Sequence, residues 1–109
     1  MKVLPPTMRE NKRYLAFELI AENMIGISRD DLIREIFSAS GSLLGDLGSS
    51  ECNIWLFAFD DNKGVISCER NHVSQTRAVM ATITHVKGKR VLLHVLGVSG
   101  TVRGATKSI

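Results

Sequence analysis

Apolar and polar side chains alternate from Arg13 to Glu22. Leu15, Phe17 and Leu19 fall on one face, and Tyr14, Ala16, Glu18 and Ile20 on the other, which predicts a first strand. Ahead of it, Pro5-Pro6 forbids a helix interior or a central strand, so residues 1–12 read as an extended arm. Ser28-Arg29-Asp30-Asp31 has the form of a helix start, with a capping hydroxyl and acids in the first turn facing the positive dipole end. Leu32, Ile33, Ile36, Phe37, Leu43, Leu44 and Leu47 then recur at helical spacing, and Gly45 and Gly48 mark the end. Cys52 to Phe59, rich in aromatic residues, predicts a second strand. Asp60 to Gly64 forms a hairpin loop in which Phe59 would pair with Gly64, and Val65 to Glu69 returns as the third strand. Asn71 to Thr84 predicts a second helix with Val73, Met80 and Ile83 inward. Val86 to Lys89 turns the chain, Arg90 to Leu96 is the fourth strand, and residues 97–109 form a glycine-containing basic tail.

The order strand, helix, strand, strand, helix, strand predicts one α+β domain over residues 1–109. It is a ferredoxin-like, RRM-like α-β sandwich, βαββαβ, with a four-stranded antiparallel sheet in the order 4-1-3-2. The end of the fourth strand would then lie beside the start of the first. Both helices cover one sheet face only. Yet the second strand is apolar on both sides, with Ile54, Leu56 and Ala58 against Trp55, Phe57 and Phe59. The fourth is apolar likewise, with Val91, Leu93 and Val95 against Leu92, His94 and Leu96. The tail is too polar and glycine-rich to cover the second face well. This predicts a protein partner bound through Trp55 and Phe57, and self-association when that partner is absent.

Charge sharpens the picture. The net +3 is unevenly spread. Lys2, Arg9, Lys12 and Arg13 oppose the single acid Glu10 at one end, and Lys87, Lys89, Arg90, Arg103 and Lys107 stand without any acid at the other. The stretch between holds five bases and ten acids. An acidic body with basic ends suits a polyanion. The predicted topology joins the two ends into one patch of Arg9, Lys12, Arg13, Arg103 and Lys107, with Tyr14 as a stacking aromatic. The turn from Lys87 to Arg90 would lie at the opposite end of the fourth strand.

Other chemistry finds little support. Cys68 and His72 are four apart, but Cys52, His85 and His94 supply no second pair at ligand spacing, so neither metal nor bound cofactor is expected. Gly97-Val98-Ser99-Gly100 lacks the spacing of a nucleophile elbow, and no phosphate-binding loop follows Gly104. No catalytic residue is assigned. Base stacking on the sheet, as in RNA-recognition motifs, is not expected, because the third strand has no aromatic. The longest apolar run, Ile54 to Phe59, is too short to span a membrane. Met-Lys-Val-Leu-Pro-Pro carries no apolar stretch of a secretory signal, which leads to the expectation of a cytoplasmic chain with free thiols.

Three segments carry a family resemblance. Leu4-Pro5-Pro6-Thr7-Met8-Arg9 with Lys12-Arg13-Tyr14, Gly64-Val65-Ile66-Ser67-Cys68 with Arg77-Ala78, and Leu96-Gly97-Val98-Ser99-Gly100-Thr101-Val102-Arg103 resemble protein component 2 of archaeal ribonuclease P, in order and at similar spacing. Ser67 stands where that family often has a base, and Gly104 follows Arg103 where a second base is common. The resemblance implies the same α/β sandwich and a subunit of a ribonucleoprotein endonuclease. In it the RNA, with Mg²⁺ held on that RNA, removes the 5′ leader of precursor tRNA, and this chain alone is inactive. It implies ribonuclease P RNA, protein component 3 and other protein subunits as partners, with precursor tRNA met in the holoenzyme. The residues by themselves also admit a regulatory small-molecule domain of ferredoxin-like fold or a non-catalytic interaction module. RNA binding at moderate salt separates these from the RNA reading.

Overall fold

The computed structural model describes residues 12–22 and 27–107. Arg9 and the rest of the arm up to residue 11 lie outside the described residues. Strand β1 is Lys12–Ala21, helix α1 Arg29–Cys52, β2 Trp55–Asp60 and β3 Lys63–Glu69. A 3₁₀ turn at Arg70–His72 leads into α2, Val73–Thr82. The chain closes with β4, His85–Val86, β5, Lys89–Ser99, and a short α3, Val102–Thr106. The sheet order is β2-β3-β1-β5-β4, and every pairing is antiparallel. This is the expected 4-1-3-2 sandwich with one addition. The predicted turn at Val86 to Lys89 is itself a small hairpin, so a two-residue fifth strand lies outside the predicted fourth.

The core forms where the alternation of β1 requires it. Leu15, Phe17 and Leu19 are fully buried with Leu32 and Ile36 of α1, Ile66 and Cys68 of β3, and Val79 and Met80 of α2. Helix α1 starts as its sequence demands. The Ser28 hydroxyl accepts from the Asp31 N–H at 3.2 Å, and the Asp31 carboxylate accepts from the Ser28 N–H at 3.2 Å. Hydrogen bonding of the carboxylate by the Ser28 N–H first, and then by the Ser28 side chain, holds the Asp31 carboxyl below its ordinary pKa.

The end of α1 corrects the sequence expectation. Gly45 does not stop the helix. It kinks it, with φ 73° and ψ 177°, and the helix resumes to Cys52. A 2.7 Å hydroxyl contact between Ser40 and Ser49 ties the two halves together. Cys52 is therefore the last helical residue and not the first of the second strand. Beyond it, Asn53 caps the helix in the left-handed region, and its N–H reaches the Ser49 carbonyl at 3.1 Å. The expected apolar stripe is only partly inward: Leu32 and Ile36 are buried, whereas Phe37, Leu43 and Leu47 are exposed. Cys52 and Cys68 are buried free thiols whose pKa values are raised, first of all by burial. Among the described residues no helix is long and apolar enough to cross a membrane.

Two bulges change which side chains share a face. Phe59 pairs with Gly64, as the hairpin loop predicts. However, Leu56 pairs with Ile66 and Ala58 with Val65, so Phe57 is an extra residue in β2. The alternation inverts there. Phe59 turns to the core and stacks on Phe17, with centroids 6.2 Å apart and planes 5° from parallel, while Ala58 faces out. In β5, Ala16 pairs with Gly97 but Phe17 pairs with Val95, which leaves Leu96 extra. The strand then continues through Gly97 to Ser99, where the sequence suggested that regularity ends.

Residues after Ser99 also differ from the expected open tail. Thr101 caps α3, accepting from the Gly104 N–H at 3.0 Å. The helix lays Ala105, fully buried, against Ala16 and Val65, with Tyr14 and Leu96 around them. The centre of the second sheet face is thus closed by the chain itself. What stays open on this side is peripheral, with Ile20 45% and Leu92 56% exposed near one end and Phe57 50% exposed on the edge strand. An added Cβ at Gly104 would collide with the Ser99 hydroxyl, which accounts for a glycine after Arg103.

Candidate nucleic-acid interface

Strand pairing brings the predicted basic segments together. Tyr14 lies opposite Ser99, two residues ahead of the Thr101 cap of α3. The Arg13 guanidinium comes to 3.7 Å from where a Cβ on Gly100 would stand, which is ordinary contact distance and places it beside that turn. It also donates to the Lys12 carbonyl at 2.9 Å, which fixes its direction. Arg103 and Lys107 sit on and just after α3, both exposed, and α3 packs on the outer face through Ala105. Lys12, Arg13, Arg103 and Lys107 therefore border one region built from the start of β1 and the close of the chain.

The members are not equivalent. Lys12 is held by Glu69 at 2.6 Å, a bridge about one-third exposed on each side. Asn53 adds an amide contact of 3.5 Å to the same carboxylate. The hydrogen bond from Lys12 is the main reason the Glu69 carboxyl titrates below its ordinary range. Its folded pKa is depressed, so its stabilisation is present above the unfolded value near about 4.3 and is lost as pH falls through the folded one. The thermal midpoint is expected to fall more steeply between about pH 5 and pH 3 in the native chain than in Glu69→Gln, by a modest amount because the pair is solvent-screened. Parallel curves for the two proteins would show that the bridge adds nothing.

Tyr14 is half-buried. Its ring meets Phe57 edge-on, with centroids 5.9 Å apart and planes at 76°, and it leans on the small cluster under α3. Trp55 and Phe57 are 55% and 50% exposed on β2, the edge strand of the sheet. They do not form one surface with Phe59, as the expected alternation had it. Trp55 faces Phe37 of α1 edge-on at 6.0 Å and donates its indole N–H to Asn53 at 2.7 Å. Beside it a groove of about 300 Å³ runs between α1 and β2, lined by Phe37, Asp46, Asn53 and Trp55 among others. Sequence reasoning did not find this groove, because the kink at Gly45 that bounds it carries no signal beyond the glycine.

Among the described residues, no three His, Cys, Asp or Glu side chains converge into a group able to hold a metal ion. The region bordered by Arg13 and α3 offers guanidinium and ammonium groups, with the nearby Glu69 carboxylate taken up by Lys12, which suits it to hold phosphates.

Comparison with known proteins places the chain among relatives. Residues 13–109 match the model of the Rpp14/Pop5 family. The chain is 50% identical over 107 residues to ribonuclease P protein component 2 of Methanosarcina barkeri, covering 98% of this chain and 78% of that protein. It is 51% identical to the Methanosarcina mazei protein of the same name, covering 98% and 90%. It is 38% identical to that of Pyrococcus furiosus over 94% of this chain and 85% of the relative. A chain in the cryo-EM structure of yeast ribonuclease MRP shares the fold, with a TM-score of 0.70 and 11% identity over 93% of this chain and 79% of that one. From the family match along almost its whole length and the half-identical relatives, the chain belongs to the Rpp14/Pop5 family.

Proposed function

We propose that this chain is a protein subunit of ribonuclease P that supports the RNA of the enzyme in removing the 5′ leader of precursor tRNA. The observation that carries this is the meeting of Arg13 with the Gly100 turn and α3, in a chain half identical to ribonuclease P protein component 2. The region holds cations near phosphates and screens their mutual repulsion, so RNA segments can approach that would otherwise stay apart. Among the described residues no three His, Cys, Asp or Glu side chains form a group that could hold a divalent ion. In this reading Mg²⁺ would sit on the RNA and would supply there the activation of water and the stabilisation of the leaving oxygen. The chain's part is to position, and it cleaves nothing alone.

The reading also includes protein partners, first of all protein component 3. The half-exposed Trp55 and Phe57 on the edge strand β2 are the surface assigned to it, and β2 offers apolar side chains beside a sheet edge on which the Leu56 carbonyl already accepts from Arg29. Reconstitution tests the whole. RNA-free protein is expected to show no cleavage of precursor tRNA. Adding it with component 3 to the ribonuclease P RNA is expected to raise the cleavage rate at low Mg²⁺ well above that of RNA alone. Phe57→Ser is expected to weaken the protein pair more than it lowers the melting temperature. Cleavage by the RNA-free chain, or no gain on reconstitution, would overturn the assignment.

A further inference from the structure

The basic residues at the other end of β5 are not used by the patch around Arg13. We propose that the β4–β5 hairpin is a second RNA contact, and that the chain bridges two separate stretches of RNA backbone; this rests on the RNA-binding reading above. The hairpin is firmly mounted. Val86 is fully buried in the core and pairs with Lys89, so the turn stands on a fixed base. Lys87 and Gly88 form the turn, both at positive φ, 54° and 78°. That is the conformation of a tight two-residue hairpin, and it projects the flanking side chains outward.

The charges here are unequal in availability. Lys87 comes within 3.9 Å of Asp31, which partly offsets it. Lys89 and Arg90 make no salt bridge among the described residues. Arg90 is exposed and lies across from exposed His85, on the face opposite Val86. Leu92 and His94 continue that face along β5, also exposed, and Ile20 stands beside Leu92 in register. Helix α3 does not cover this end, since the cluster beneath it gathers Ala16, Val65, Tyr14 and Leu96. The acids on the neighbouring β1 are Glu18, opposite His94, and Glu22, just past the pairing of Ala21 with Val91. The result is two cations at a rigid turn with no salt bridge among the described residues, Lys89 on the face of Val86 and Arg90 on the opposite face, where a small apolar strip of Leu92 and Ile20 lies beside it for a ribose or base.

Geometry separates this site from the first. Strand β5 has eleven residues, Lys89–Ser99. At about 3.3 Å per residue its ends are roughly 30 Å apart. That is nearly four Debye lengths, at about 8 Å each, at physiological salt, so the two clusters act independently on whatever phosphates they meet. One short stretch of backbone cannot satisfy both, whereas a folded RNA presents phosphates at such separations.

The test uses the full chain, with component 3, bound to ribonuclease P RNA. The double variant Lys89→Gln/Arg90→Gln is compared with the native chain in binding over a range of salt and in nucleotide protection. The log–log salt slope is expected to become shallower by about 1.5, the value for two phosphate contacts. One segment of protected nucleotides should be lost while the rest stay protected. Lys89→Arg/Arg90→Lys, which keeps the charges, is expected to retain both slope and footprint, and matching melting curves show that each variant folds. An unchanged slope and footprint in the glutamine variant, with native binding intact, would overturn the hairpin contact alone. Absence of RNA binding by the native complex would overturn the RNA reading and the hairpin with it.

Discussion

Replacing Phe17 by alanine is expected to cost about 3–5 kcal/mol of folding stability, the range for deleting a large aromatic from a packed core. Phe17 is fully buried at the centre of the sheet and pairs with Gly64 on one side and Val95 on the other. Its ring stacks on Phe59, which the bulge at Phe57 turns inward. It also lies over Gly64 so closely that a Cβ there would come within 2.8 Å of the ring edge. The truncation therefore empties a space bounded by backbone and by a second aromatic, and neither can move in to fill it. For a domain whose whole stability is typically about 5–15 kcal/mol, the loss lowers the melting temperature by roughly 15 °C or more. Phe17→Leu keeps much of the volume and is expected to lose less than half as much. Urea denaturation of the three proteins measures this, and a loss below about 1 kcal/mol for alanine would mean that Phe17 is not the keystone its contacts describe.

The same residue shows what was legible in the sequence. Strict alternation in β1 has one physical solution, a half-buried strand, and so its core face could be read directly. The Ser28 cap and the pairing of Phe59 with Gly64 follow from equally local chemistry. The kink at Gly45 was read as an end because a glycine permits both outcomes. What decides between them is the Ser40–Ser49 contact and the left-handed Asn53 eight residues on, which are tertiary facts. The bulges at Phe57 and Leu96 have no local signature, since each is set by the register the neighbouring strand imposes. They explain why Phe59 was placed on the wrong face. Helix α3 escaped notice because it spans five residues with a glycine inside, although Thr101 three residues before Gly104 is a capping signal. Missing it made the second face look open. In the candidate interface, topology alone was enough to bring Arg13 beside the chain's close. The capture of Lys12 by Glu69 was not readable, because those residues meet only through the β1–β3 register.

Neutralising Arg13, Arg103 and Lys107 together is expected to flatten the salt dependence of RNA binding. With Arg9 and Lys12, this patch offers about five cations to phosphates, which contributes on the order of −3 to −4 to the log–log slope. Between 50 and 200 mM salt, that share alone should lower the affinity about 60- to 250-fold. The triple glutamine variant keeps about two contacts in this patch, one of them from Lys12, which must first leave Glu69. The patch's share of the slope should then be about −1.5, which lowers the affinity only about 8-fold over the same range. Arg13 is expected to contribute most of the difference. Its direction is set by the Lys12 carbonyl and by the Gly100 turn, so less side-chain entropy is lost when it meets a phosphate. Gly100→Val should reproduce part of the Arg13 loss by crowding the guanidinium without removing any charge. Asp30→Asn, an exposed change on α1 away from the patch, is expected to leave the slope as it is. A triple variant with the native slope, or an equal loss from Asp30→Asn, would place the RNA contact elsewhere on the molecule.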